Sequence, residues 1–236
     1  MYCLQFRQGS CGVARKLVAV WLAGFAFAAV VPRARAADDF RFSVRWNAQE
    51  RTGRIRSLDM APPAAQALLA WLRTEEGSRL LGALLADGRV EKTRNGRPVR
   101  REAGASGYLA MDGYVRVLRE RAYSDWYGPK DDAHLQLGRA TRGVPWGIHT
   151  HSWGNAMSGT MKGLNGDFAY AAPVRGEPGV LICLPLFERD GRESLTSGRL
   201  QLIAPLKKGV GCYEGRWQLE NGRVSIVSNA SEVKSG

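Results

Sequence analysis

The chain has 236 residues, a formal charge of +12, 44% hydrophobic and 9% aromatic residues. That apolar content is enough for a buried core and excludes wholesale disorder, and the single long apolar run excludes a multi-span membrane protein. Five of the bases (Arg7, Arg15, Lys16, Arg33 and Arg35) stand in the first 36 residues, which hold no acid, so the remaining 200 residues carry only +7.

Residues 17–31 form a 15-residue run without a polar or charged side chain, preceded by Arg15-Lys16 and followed by Ala34-Arg35-Ala36. A membrane-spanning helix wants about 20 apolar residues, whereas a basic start, a shorter apolar run and a small-residue end are the three parts of a secretory signal peptide. The expectation is therefore a signal peptide over 1–36 and a single domain over 37–236. The product is secreted or periplasmic, with no transmembrane segment after cleavage. It retains Cys183 and Cys212, and an even pair in an oxidising compartment reads as one disulfide closing a loop of about 30 residues.

Along that domain, Phe40, Phe42, Val44 and Trp46 alternate with polar residues and predict a strand within 38–55. Over 57–88, Asp59, the Pro62-Pro63 pair and the Leu68, Leu69, Leu72 face predict a helix. Gly77-Ser78 interrupts it before a second stripe of Leu80, Leu81, Leu84 and Leu85. From Arg89 the pattern turns to sheet. Asn95-Gly96, Asp112-Gly113 and Asn221-Gly222 are hairpin turns, and 126–142, rich in Gly, Asp and Pro, is a loop. Strands are expected at 144–151, 180–187, 199–203, 212–219 and 223–227. Helices followed by hairpins imply an α+β fold, N-terminal helices packed on a mostly antiparallel sheet.

The chain has three histidines, and two of them form His149-Thr150-His151 at the end of an apolar strand. Residues i and i+2 of a strand point to the same side, about 6–7 Å apart at Cα, which suits two nitrogen ligands on one metal. A catalytic zinc takes three protein ligands and keeps a fourth position for water. Asp167 is the first carboxylate after His151 and the expected third ligand, while Glu102 opens an earlier strand.

Glu102, a strand, His-X-His after an apolar strand, then Ser158 and Asp167, is an order that resembles the JAB/MPN (JAMM) metallopeptidases over residues 102–167, with a metallopeptidase-like region of about 89–228. The resemblance implies zinc held by His149, His151 and Asp167, Glu102 as general base with Glu91 as its rival, and Ser158 as an oxyanion stabiliser. It implies hydrolysis of an amide or isopeptide bond in a peptide or peptidoglycan-like substrate. The chain departs from the family pattern in having Ser152 in place of a proline after the second histidine, and Leu164 where the serine stands three residues before the Asp.

Other readings start from the same pair. A peptidoglycan zinc endopeptidase requires an earlier His with an Asp seven positions later, and His134 has Thr141 there. A cupin motif requires a Glu four or five residues after the second His, where Asn155 and Ala156 stand. A non-catalytic secreted binding or toxin-associated domain needs only the fold. The basic stretches 97–101 and 116–121 predict a solvated sheet face, with an anionic envelope polymer as a possible partner and nucleic acid excluded by export.

Overall fold

Where the polypeptide leaves its first strand, apolar residues at helical spacing dictate two helices. The computed structural model describes residues 55–131, 133–154, 166–172, 178–207 and 209–228; the expected signal peptide and, but for Ile55, the expected strand at 38–55 lie outside them. After β1 (Arg56–Ser57) and a 3-10 turn (Leu58–Met60), α1 runs from Pro63 to Leu72 with proline at its first position, where the missing N–H costs nothing. Its Leu68, Leu69 and Leu72 are fully buried, each contributing about 1.5–3 kcal/mol relative to exposure.

Helix α2 (Glu75–Arg89) starts at Thr74, whose hydroxyl accepts from the Gly77 N–H at 3.3 Å. Glu75 and Glu76 in the first turn and Arg89 in the last complement the helix dipole. The break between helices is thus at Arg73-Thr74 and not at the expected Gly77-Ser78. Gly77 has a different task. A Cβ there would lie 2.4 Å from the Trp71 carbonyl oxygen and 2.5 Å from the Leu72 Cα, so its bare backbone allows α2 to close against the end of α1.

The strands are β2 (Lys92–Arg94), β3 (Arg97–Val99), β4 (Ala103–Leu109), β5 (Val115–Tyr123), β6 (Val144–His151), β7 (Val180–Pro185), β8 (Ser197–Pro205), β9 (Val210–Glu220) and β10 (Arg223–Ser228). The short helix α3 (Phe168–Ala171) falls between β6 and β7. Asn95-Gly96 and Asn221-Gly222 adopt positive φ at both positions and close the β2–β3 and β9–β10 hairpins as expected. The main sheet has the order β1-β9-β8-β7-β6-β4-β5, with β10 also on β9. Two of its pairings are parallel, β1 with β9 and β6 with β7.

Alternation along β6 and β7 divides the sheet into two faces. Trp146, Ile148, Ile182 and Leu184 join the core under α1 and α2. Leu181 and Cys183 point the other way, into a second core with Tyr170, Ala171, Ile203 and Val210. The loop 124–143 and α3 supply this second face, where Leu137 and Phe168 pack at its margin.

The expected fold class is corrected by these features. Over the described residues the molecule is 44% strand and 21% helical, its sheet is mixed, and α3 comes after β6, so the helices are not gathered at the N-terminal side of the sheet. The parallel β6–β7 pair explains the difference, because parallel neighbours need a crossover of a dozen or more residues and not a tight hairpin. The expected disulfide is corrected as well, since Cys183 and Cys212 are free thiols. Strand β8 lies between their strands, and two strand spacings of about 4.8 Å exceed the roughly 7 Å Cα limit of a disulfide. No helix among the described residues is long and apolar enough to cross a membrane.

Gly77 offers a test in which two effects oppose each other. In a free helix Gly→Ala stabilises by about 0.5–1 kcal/mol, but overpacking against immobile backbone costs about 1–3 kcal/mol. With the nearest contacts all backbone atoms, Gly77→Ala is expected to lower the urea midpoint of unfolding. An unchanged or raised midpoint would show that the α1–α2 junction relaxes freely.

Candidate metal centre

The His pair is delivered by the last turn of the pleat in β6. His149 pairs with Gly104 of β4 on one side and with Cys183 of β7 on the other. Directly opposed residues share a face, so His149, His151 and Cys183 project together into the second face of the sheet. Continuing the β4–β6 register by two residues sets Glu102 opposite His151. Thr150 points the opposite way, is fully buried, and its hydroxyl oxygen accepts from the Ala103 N–H at 3.0 Å, locking β6 to β4.

Asp167 reaches the same point from the crossover. It stands immediately before α3, and Arg139 donates to the carbonyls of Ala169 and Tyr170 at 2.7 and 2.6 Å while stacking on the Tyr170 ring. Those bonds hold the segment that carries Asp167 against the sheet. Its two oxygens each meet one imidazole, Oδ1 at 3.1 Å from His149 Nε2 and Oδ2 at 3.1 Å from His151 Nε2. The two Nε2 atoms are 2.9 Å apart, and Cys183 Sγ is 3.6 Å from His149 Nε2.

Buried His149, His151, Asp167 and Cys183 thus bring their donor atoms within 4.8 Å of one another, a group that can hold a metal ion. Four of the separations, 2.9 to 3.6 Å, fit the purpose. With ligand bonds of about 2.0–2.1 Å to nitrogen or oxygen and 2.3 Å to sulfur, a tetrahedral ion places its ligands about 3.3–3.6 Å apart. The charges fit too. A carboxylate only 9% exposed facing two imidazole nitrogens needs a positive charge. Burial pushes the Asp167 carboxyl up, but His149 and His151 outweigh it and hold the carboxyl well below the usual range. His149 Nδ1 has no partner among the described residues, so Nε2 is the nitrogen committed to the centre.

Glu102 is half-buried at the rim. Tyr127 donates its hydroxyl to Glu102 Oε1 at 3.2 Å, and the Glu102 N–H donates to Ser124 Oγ at 2.9 Å. Burial and the adjacent Glu102 carboxylate push the Tyr127 phenol up, so it stays protonated and remains a donor. The Cys183 thiol is pushed up by burial, then by the carboxylates of Asp167 and Glu102, whose fields both reach the sulfur. Ser152 donates to the Arg101 carbonyl at 2.8 Å and ties the chain after His151 to the strand entrance carrying Glu102.

Arg100 braces this rim from behind. Its buried guanidinium bonds Glu193 at 2.8 and 3.2 Å and Glu91 at 3.2 Å, and lies over Trp153 and Phe187. Glu91, the rival general base, is therefore engaged with Arg100, while Glu102 lies across from His151. His134 is exposed and outside the cluster, so it supplies no ligand to the peptidoglycan-endopeptidase arrangement. The sheet is open and not a cupin barrel. Ser158 lies outside the described residues. A cleft of about 850 Å³ elsewhere is lined by Glu188, Arg199, Glu214 and Arg216, but their charges are paired with one another.

Sequence reasoning brought together His149, His151, Asp167 and Glu102, and missed Cys183, Tyr127 and Arg139. Cys183 was assigned to a disulfide. The signal that would have found it is a lone thiol in the middle of an apolar strand, Val180–Pro185, which becomes meaningful only beside β6. Compared with family models, with curated proteins and with solved structures, the chain matches none.

Removal of one ligand tests the cluster. Outer-shell partners of metal ligands are worth about 10–100-fold in affinity, so Asp167→Ala and His149→Ala are each expected to weaken divalent-ion binding by more than about a hundredfold. Equilibrium dialysis of the full chain with elemental analysis measures this. Wild-type protein that binds no ion would exclude the centre.

Proposed function

We propose that the chain is a zinc-dependent hydrolase that cleaves an amide or isopeptide bond of a peptide or peptidoglycan-like substrate outside the cytoplasm. The observation that carries the reading is the convergence of His149, His151 and Asp167 at one buried point, with the Glu102 carboxylate set opposite His151 on the same face. Two neutral imidazoles and a carboxylate are the donor set of a catalytic zinc, and the JAB/MPN resemblance gives the same roles.

When bound, zinc supplies a Lewis acid and lowers the pKa of its water to about 7. The residues of the chain do the rest. His149 and His151 present Nε2, and Asp167 bridges them with both oxygens. Arg139 keeps Asp167 in place through the carbonyls of α3. Glu102 accepts a proton from the attacking water and returns it to the leaving nitrogen, a role for which a half-exposed carboxylate at the rim has access to both. Tyr127, donating to Oε1, orients that carboxylate and leaves Oε2 for the proton. Burial of the three ligands excludes bulk water and strengthens each charge interaction.

Glu102→Gln separates binding from chemistry. The zinc content of the purified full chain is expected to remain stoichiometric, while hydrolysis falls about 10²–10⁴-fold. The assay uses fluorogenic peptides, ε-linked isopeptides and purified peptidoglycan. Zinc-loaded wild type that cleaves none of these would favour a non-catalytic secreted domain with a structural ion.

A further inference from the structure

The donor set holds one member for which the proposed hydrolysis has no use. Cys183 is fully buried, and its sulfur is 3.6 Å from the His149 nitrogen that faces the centre. With bonds of about 2.05 Å to nitrogen and 2.3 Å to sulfur, that separation subtends about 110° at a shared ion, close to the tetrahedral angle. Nothing in the packing demands a thiol at this position. The neighbours of Cys183 in the second core are apolar or aromatic (Leu181, Ile203, Val210, Tyr170), and any small apolar residue would fill the same space. In register, Cys183 lies beside His149 on β6 and Gln201 on β8, and its thiol hydrogen-bonds Asp167, so two of the polar groups it meets, His149 and Asp167, belong to the same donor set.

We propose that Cys183 is a fourth protein ligand of the centre: two nitrogens, one oxygen and one sulfur would hold a bound ion, and water would compete with the sulfur for its position. This rests on the metal-hydrolase reading and deepens it. The four donors span up to 4.8 Å, against about 3.3–3.6 Å for the edge of a tetrahedral site, so the widest separation would contract by about 1.2–1.5 Å on binding an ion. On ligation the thiol releases one proton to solvent and the thiolate bonds the ion, with no change of oxidation state. A sulfur ligand also sets the class of cation. Thiolate favours zinc, cobalt or cadmium and disfavours magnesium or calcium, which take oxygen.

Cobalt(II) substitution in the full chain gives a readout independent of activity. Wild type is expected to show the visible ligand-field bands of a four-coordinate ion together with a near-ultraviolet sulfur-to-cobalt charge-transfer band. In Cys183→Ser the charge-transfer band is lost while cobalt is retained, and turnover of the zinc-loaded protein rises because water meets a weaker competitor. Cobalt bound without the sulfur band in wild type would overturn the role of Cys183 and leave the hydrolase reading standing. A sulfur band that persists in Cys183→Ser would overturn it too, by assigning the sulfur elsewhere. Absence of cobalt binding altogether would bring down the metal-centre reading itself. Should the variant not fold, the wild-type spectrum decides alone.

Discussion

The parallel, in-register pairing of β6 with β7 is the constraint on which the rest of the centre depends. It sets His149 beside Cys183 and turns both into the same face. Because the two strands run in the same direction, the chain between them must cross over that face, and the crossover carries Asp167 and α3 to the histidines. An antiparallel hairpin at this place would have put the residues after His151 directly onto a neighbouring strand, with no segment free to bring a carboxylate over the sheet. The deviation from a purely antiparallel fold is thus what assembles the ligands.

The second requirement is electrostatic. Asp167, His149 and His151 are all nearly fully buried, and a buried carboxylate is tolerated only with a compensating charge. Around this core the chain spends its other buried polar groups on positioning. Arg139 holds the α3 carbonyls, Arg100 binds Glu91 and Glu193 between aromatic rings, and Thr150, Ser152 and Ser124 tie β6, the stretch after it and the stretch after β5 to the start of β4. Each of these bonds connects segments distant in sequence, and together they fix where Glu102 and Asp167 stand relative to the His pair.

The face opposite the helices is shaped for close approach. At Gly104, beside His149, a Cβ would come within 2.8–2.9 Å of Leu137, Leu135 and the Ile148 carbonyl. A side chain there would force Leu135 and Leu137 aside and press on the Ile148 carbonyl. The loop is therefore legible as polar, Gly-rich sequence, but its function as the wall of a buried centre comes from a glycine two strands' width from Cys183 that has no meaning until β4, β6 and β7 are placed side by side.

How much was legible follows from the range of the signals. The apolar run at the start of 144–151, the Asn-Gly turns and the Leu stripes of 68–85 are local, and they determined the strands, hairpins and helices they predict. The two histidines at i and i+2 and the nearest following carboxylate were local as well, so three of the four donors were found from the sequence alone. Strand direction, strand order and the partners of a lone thiol are long-range. Nothing within six apolar residues of Val180–Pro185 says whether they run with or against β6, and a helix of four residues such as α3 has too little periodicity to announce a crossover. The sequence by itself therefore determined which residues can carry chemistry and on which local elements they sit. Only the tertiary structure decided that Cys183 joins His149 and not Cys212, and that Glu102 stands across from His151, because those neighbours are set by pairing between strands and not by spacing along one.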